Sequence, residues 1–372
     1  MSRYHIVNPA NVKDTYSEFS TVDFELSFEN RKLVANMLRL NFKVDWEVAR
    51  NLNEKQMWDN FVGGHSLIDR IDVSFANVGV VESISDVPRY VSAVRKASLS
   101  VEDVAFNSQF VCEGCTPSSE LSNKLLLGTI DLSKQGQTTW GAISGFREPL
   151  DVSLKLQCCL NKVLGDNLLP FVKTGMIRLS VQLSKTFYAL FGDGDLNYNL
   201  KDMSLMFMSM PDDGVYSDKY TMQVATVLPQ SIQSTFTNLS VKAPIVASSM
   251  FATAIRQADL DSATSNSMQN QRLPNVTELQ FIFNDSFSQE ITYTLQGESD
   301  ILQNAVEAIN KVVGSNSCSL DRMASNDSWG LGLSFGQYVD LSQNKVGINI
   351  KSSVSSTDPY VLYLMFIGVV SI

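Results

Sequence analysis

Apolar and polar residues alternate with a period of two along much of this chain. Val22, Phe24, Leu26 and Phe28 are separated by Asp23, Glu25 and Ser27. Leu38, Leu40, Phe42, Val44 and Trp46 alternate with Arg39, Asn41, Lys43 and Asp45, and Leu150, Val152, Leu154 and Leu156 with Asp151, Ser153 and Lys155. Ile177, Leu179, Val181 and Leu183 alternate with Arg178, Ser180 and Gln182. Each run predicts a strand with one buried face. Further strands are predicted over Leu67–Phe75, Tyr220–Leu228, Glu278–Asn284, Leu331–Phe335 and Val346–Ile350. Met203–Met210 and Tyr360–Val370 are apolar at successive positions and read as strands covered on both faces.

Helical spacing is scarce. Ile301, Ala305, Ile309 and Val312 recur on one helical face, with Gly314 placed as a C-terminal cap. Val87, Tyr90, Val91 and Val94 predict a shorter helix beginning near Asp86-Val87-Pro88. Many strands and few helices place the chain in the all-β sandwich or barrel class. There is no βαβ rhythm and no glycine-rich phosphate loop. Leu205-Met206-Phe207 recurs as Leu364-Met365-Phe366, each in a doubly apolar strand that closes its half of the chain, and each half has one helix upstream of it. The turn-rich Met210-Pro211-Asp212-Asp213-Gly214 lies between. Two β domains of similar build are therefore expected, 1–210 with a short N-terminal extension and 211–372. The Ser-, Asn- and Asp-rich Asp261–Asn270 reads as a long exposed loop, and Gln135–Thr139 as a shorter one.

Charge narrows the functions. The chain has 29 basic against 39 acidic residues, a net charge of −10, and no basic block. It is a poor nucleic-acid coat, because phosphate binding needs clustered Lys and Arg. The longest strongly apolar run, Tyr360–Ile372, is shorter than the ~20 residues a membrane helix needs. Met1–Ser20 lacks the apolar core of a signal peptide. A soluble chain made in a reducing compartment is expected.

Candidate chemistry is thin. Only His5 and His65 are present, and most acid–base and metal designs lean on histidine. Gly63-Gly64-His65-Ser66 resembles a site, but no GxSxG elbow supplies a nucleophile, and a glycine turn leading into a strand explains it better. His5 falls in what reads as a flexible N-terminal segment. Cys112 and Cys115 form a CxxC pair without a second pair at zinc-site spacing; Cys158, Cys159 and Cys318 complete the cysteines. Reduced thiols in a loop and a core are expected. Asp193-Gly194-Asp195 and Asp212-Asp213 lack the ligand spacing of a calcium loop and read as turns. Met203, Met206, Met208 and Met210 suit either a core or a subunit contact. No catalytic, cofactor or metal residue is assigned, and no enzyme activity is expected.

The order of these pieces resembles the double jelly-roll major capsid proteins of tailless icosahedral double-stranded DNA viruses, nearest to the Polinton-like and virophage branch. The resemblance is carried by Gly63-Gly64-His65-Ser66-Leu67-Ile68 with Ile71-Asp72-Val73, then Val81-Glu82-Ser83-Ile84 and Tyr90. It continues in Pro149-Leu150-Asp151-Val152 through Leu160, Leu168-Leu169-Pro170 and Ile177-Arg178-Leu179, and in the doubly apolar strand closing each half. The resemblance implies two tandem eight-stranded jelly-roll sandwiches, with three copies forming a pseudo-hexagonal capsomer that tiles an icosahedral shell. It implies a virion protein made in the host cytoplasm or nucleus, not secreted. Its partners would be neighbouring capsomers, penton and minor capsid proteins and an internal membrane, with no direct genome binding. A two-domain carbohydrate-binding sandwich is the main alternative, although Trp46, Trp58, Trp140 and Trp329 are scattered rather than clustered as a sugar platform. A minor capsid or spike protein of the same virus type and a two-carboxylate glycoside hydrolase are the others.

Overall fold

A computed structural model of the chain describes residues 2–46, 56–59, 61–98, 129–131, 150–165, 167–189, 191–192, 197–260, 262, 264–284, 290–313, 318–324 and 328–372. In the first half the strands are β1 (Arg3–Val7), β2 (Thr21–Leu26), β3 (Arg31–Trp46), β4 (Gln56–Asp59), β5 (Ile68–Phe75) and β6 (Gly79–Ile84), followed by helix α1 (Val87–Ser98). Then come β7 (Thr129–Asp131), β8 (Leu150–Lys155), β9 (Val163–Leu164), β10 (Leu168–Pro170), β11 (Ile177–Leu183), β12 (Phe191–Gly192) and β13 (Tyr198–Pro211). The second half holds β14 (Thr221–Ile232), β15 (Phe236–Val241), β16 (Val246–Arg256), β17 (Glu278–Asn284) and β18 (Glu290–Gln296). It ends with helices α2 (Glu298–Val313) and α3 (Leu320–Ala324) and strands β19 (Leu331–Asp340), β20 (Val346–Lys351) and β21 (Tyr360–Ser371).

These strands build the same object twice. One sheet of the first half runs β1-β13-β3-β10, with β8 also on β3, and faces a second sheet ordered β2-β11-β5-β6. The second half repeats this as β14-β21-β16-β19 over β15-β20-β17-β18. Lettering eight strands B to I in chain order, both halves read B-I-D-G over C-H-E-F, the two-sheet jelly roll. In each barrel the helix follows strand F, and α1 packs against α2. A small sheet, β12-β4-β7, stands beside the first barrel. The chain is an all-β double jelly roll.

The alternating strands place their apolar sides inward as expected. Val22, Phe24 and Leu26 of β2 meet Ile177, Leu179 and Val181 of β11, and all six are buried. Burying each such side chain is worth about 1.5–3 kcal/mol. β21 lies between β14 and β16 and is buried on both faces from Tyr360 to Ile367. Close approach there demands a glycine. A Cβ on Gly368 would lie 1.9 Å from the Val246 carbonyl oxygen, where β16 bulges between Ala247 and Ser249.

The structure corrects four expectations. His5 is not in a loose segment: β1 pairs along its length with β13, because its inward His5 and outward Tyr4 and Ile6 invert the usual alternation. Asp261–Asn270 is not an exposed loop. Among its described residues Asn266, Ser267, Met268 and Asn270 are buried, because basic and hydroxyl side chains of α1 take up its backbone carbonyls. Within the single chain the strand over Met203–Met210 is not covered on both faces: Met203, Leu205 and Phe207 are core, whereas Met206 and Met208 are half-exposed and Met210 is exposed. Finally, the first half does not keep all its strands, since β9 hydrogen-bonds to β14 and extends the second barrel's sheet.

Candidate functional site

Among the described residues no cluster of three or more His, Cys, Asp or Glu side chains could hold a metal ion. His65 is fully buried in a short helical turn, with Nε2 3.2 Å from the Lys155 carbonyl. Burial, with Arg95 nearby, holds it well below the usual imidazole range. Ser66 spends its hydroxyl on the Gly63 carbonyl at 2.8 Å, so the pair is not poised for nucleophilic chemistry. His5 hydrogen-bonds to Ser209 Oγ at 2.7 Å and stacks on Phe207. Cys158, Cys159 and Cys318 are buried free thiols. Burial and Glu82 push Cys158 up to about 12 and Cys159 well above its ordinary value, the reverse of a reactive cysteine. Asp212 and Asp213 clasp Lys32, at 3.9 and 2.5 Å, and close the link between the barrels. Cys112, Cys115, Asp193, Asp195 and Gln135–Thr139 lie outside the described residues.

The concentrated polar chemistry lies between the barrels. Glu82, on edge strand β6, is buried and bridges both halves: Cys159 N donates to Oε2 at 2.5 Å and Ala225 N, on β14, donates to Oε1 at 2.9 Å. Burial raises its carboxyl above the ordinary value despite Lys162 nearby. Burial opposes the charge on Lys162 as well, but Tyr90, whose hydroxyl accepts from Nζ, and Glu82 outweigh it and hold that ammonium above its usual range. Next to Tyr90 on α1, Arg89 is completely buried. Its guanidinium donates to the carbonyls of Ser267 and Gln269 and sits 4.8 Å from the centre of the Tyr363 ring on β21. Ser92 and Lys96 donate to the Met268 carbonyl at 2.9 and 3.2 Å. Arg322, on α3, returns a bond to the Ala97 carbonyl at 3.2 Å.

Desolvating this many polar groups is costly unless each is bonded, and here the bonds run from one barrel to the other. The seam therefore fixes a single relative placement of the barrels and makes them one body. Sequence reading missed Glu82, Arg89, Lys96 and Lys162 as seam groups. Glu82 and Tyr90 stood in the resemblance-bearing stretch, but their partners lie far off in the chain.

The sheets left free point outward. On the outer face of the β1-β13-β3 sheet, Tyr4, Met208, Val34 and Leu168 form one cross-strand row. Ile6, Met206, Arg39 and Lys155 form another. Tyr4 is 64% and Ile6 69% exposed, a large apolar offering for a soluble surface. On the second barrel, Asn238, Asn349, Gln280 and Thr294 line up across β15-β20-β17-β18. Asn349 donates to Gln280 at 2.7 Å, giving that face an uncharged amide ladder.

No protein-family model and no curated protein matches this sequence. Solved structures do match the fold. The Faustovirus major capsid protein superposes with a TM-score of 0.65 at 10% identity, over 100% of this chain and 90% of that one. PBCV-1 VP54, fitted into a reconstruction of the virophage Sputnik, gives 0.54 at 9% identity, over 100% and 95%. A chain of the Sputnik virophage structure gives 0.54 at 8% identity, over 100% and 86%. With the strand order B-I-D-G over C-H-E-F present twice, this chain has the double jelly-roll fold of viral major capsid proteins.

Proposed function

We propose that this chain is a structural protein, the major capsid protein of an icosahedral virus, and that it acts as a homotrimer. The observation that carries the reading is the pair of complete jelly rolls locked together by a buried polar seam. A shell tile must keep its shape under lateral load, and one chain here supplies two barrels that cannot move independently. Three such chains supply six barrels, enough for a pseudo-hexagonal capsomer that meets neighbouring capsomers edge to edge. The apolar rows at Tyr4 and Ile6 are the lateral surface offered to a second copy, since obligate interfaces are apolar at their centres. The acidic balance suits a wall that leaves the genome to other components, with an internal membrane, penton and minor capsid proteins as further partners. Its place is the capsid shell of the virion, after synthesis in the host cytoplasm or nucleus.

Light scattering after size exclusion tests this. The expected result is a mass three times 41.2 kDa, or larger assemblies in multiples of it, and a stable particle at 41.2 kDa overturns the reading. The double variant Tyr4→Glu with Ile6→Glu should shift the population to smaller species. Because both side chains are exposed, chain stability should change by only about 0.5 kcal/mol. An unchanged trimer would remove these rows from the interface.

A further inference from the structure

Three side chains in the seam combine in a way that the wall role does not require. Asp59 ends β4, Lys96 lies on α1, and Asn266 belongs to the buried segment before β17; all three are buried. Asp59 Oδ1 is held by the backbone N–H groups of Phe61 and Val62, at 2.9 and 3.2 Å. Its other oxygen, Oδ2, faces two nitrogens at once: Lys96 Nζ at 3.6 Å and Asn266 Nδ2 at 2.8 Å. Asn266 Oδ1 accepts the Met268 N–H at 3.0 Å. Lys96 Nζ also stands 5.5 Å from the centre of the Phe61 ring.

This is an amine, a carboxamide and a proton shuttle held together away from water, with a backbone donor already on the carboxamide oxygen. We infer that Lys96 and Asn266 join in an intramolecular amide bond, with Asp59 moving the proton. The ammonium of Lys96 gives a proton to Asp59, leaving a neutral amine and a carboxylic acid. The amine nitrogen attacks Cγ of Asn266, and a C–N bond forms. The Met268 N–H holds the oxygen as it gains negative charge. Asp59 passes its proton to Nδ2, the Cγ–Nδ2 bond breaks, and the nitrogen departs with the protons the amine has shed. Ammonium plus carboxamide become amide plus NH4+, with Asp59 restored and no oxidant or cofactor needed. Proximity supplies the drive: Asp59 Oδ2 gathers both nitrogens, and groups held together in this way react as if at very high concentration. The product ties α1 of the first barrel covalently to the second barrel.

The inference does not rest on the capsid reading and is tested on the purified full chain. Intact mass spectrometry under denaturing conditions should find the chain lighter than its sequence by one ammonia. A tryptic digest should contain one branched peptide joining the segments around Lys96 and Asn266, uncleaved after Lys96. A mass equal to the sequence overturns the inference. So does loss of ammonia without the branched peptide, since a cyclic imide at Asn266 loses the same mass. Asp59→Asn removes the shuttle and should restore the full mass, as should Asn266→Ala. If either variant fails to fold, the intact mass and digest of the unaltered chain still decide the matter.

Discussion

Glu82→Ala tests the reading that the two barrels are one body. In the native chain its carboxylate accepts the buried N–H groups of Cys159 and Ala225, at 2.5 and 2.9 Å, one in each half. Alanine leaves both donors without an acceptor. An orphaned buried donor costs about 1–3 kcal/mol. Lys162 loses its carboxylate as well but keeps its bond to the Tyr90 hydroxyl. The expected destabilisation is about 2–6 kcal/mol, which at about 1.4 kcal/mol per tenfold raises the unfolded fraction by about thirtyfold to about twenty-thousandfold. Urea titration followed by circular dichroism and by tryptophan fluorescence measures it. Glu25→Ala is the control: its 2.6 Å pair with Arg178 is solvent-exposed, so its loss should leave the midpoint nearly unchanged. The variant should also lower cooperativity, splitting one transition into two as the barrels uncouple. If Glu82→Ala matches Glu25→Ala in midpoint and slope, the seam does not hold the barrels together.

Glu82→Gln should reveal a pH dependence. The Glu82 carboxyl is raised in the folded chain from its ordinary 4.5, so its favourable contribution is complete below 4.5 and is lost as pH climbs through the raised value. Wild-type stability measured against the glutamine variant should therefore fall as pH rises above 4.5; a flat difference contradicts the burial argument. Gly368→Ala should prevent normal folding, because its Cβ would lie 1.9 Å from the Val246 oxygen, and a soluble variant melting with the wild type would refute the tight crossing. Iodoacetamide at pH 8 should leave Cys158 unlabelled in the native chain, since its thiol is pushed up to about 12, and label it in urea. Native labelling as fast as that of a small thiol, read by peptide mass mapping, would contradict this.

What could be read from the sequence was what alternation encodes. β2, β8 and β11 have one dry and one wet face, so the pattern of side chains states the strand directly. β16 carries Ala247, Ser249, Ala252, Thr253 and Ala254, small residues buried on both faces, and has no alternation to find. β1 was hidden because its outward residues, Tyr4 and Ile6, are the apolar ones. The segment before β17 misled for a different reason. Serine and asparagine suit exposed loops, but here they are enclosed because Arg89, Ser92 and Lys96 bring donors from about half a chain away. No local window contains both members of such a pair. The repeat of closing strands and helices showed two β domains of similar build, and the jelly roll came only from the family resemblance, whereas the seam that turns two barrels into one body depends on pairings visible only in space.

The two-residue strand β9 has a consequence for the order of events at the ribosome. It belongs to the early half of the chain, yet it covers the edge of β14. Glu82, Arg89 and Lys96 are likewise translated before the second-half backbone groups they bond. Chains fold from the N-terminus as they emerge. The first barrel can thus close with its seam groups already displayed, and β14 meets a ready partner on its outer edge as soon as it appears. An open strand edge is the usual starting point for pairing with the wrong chain. Here the growing chain carries its own guard for that edge.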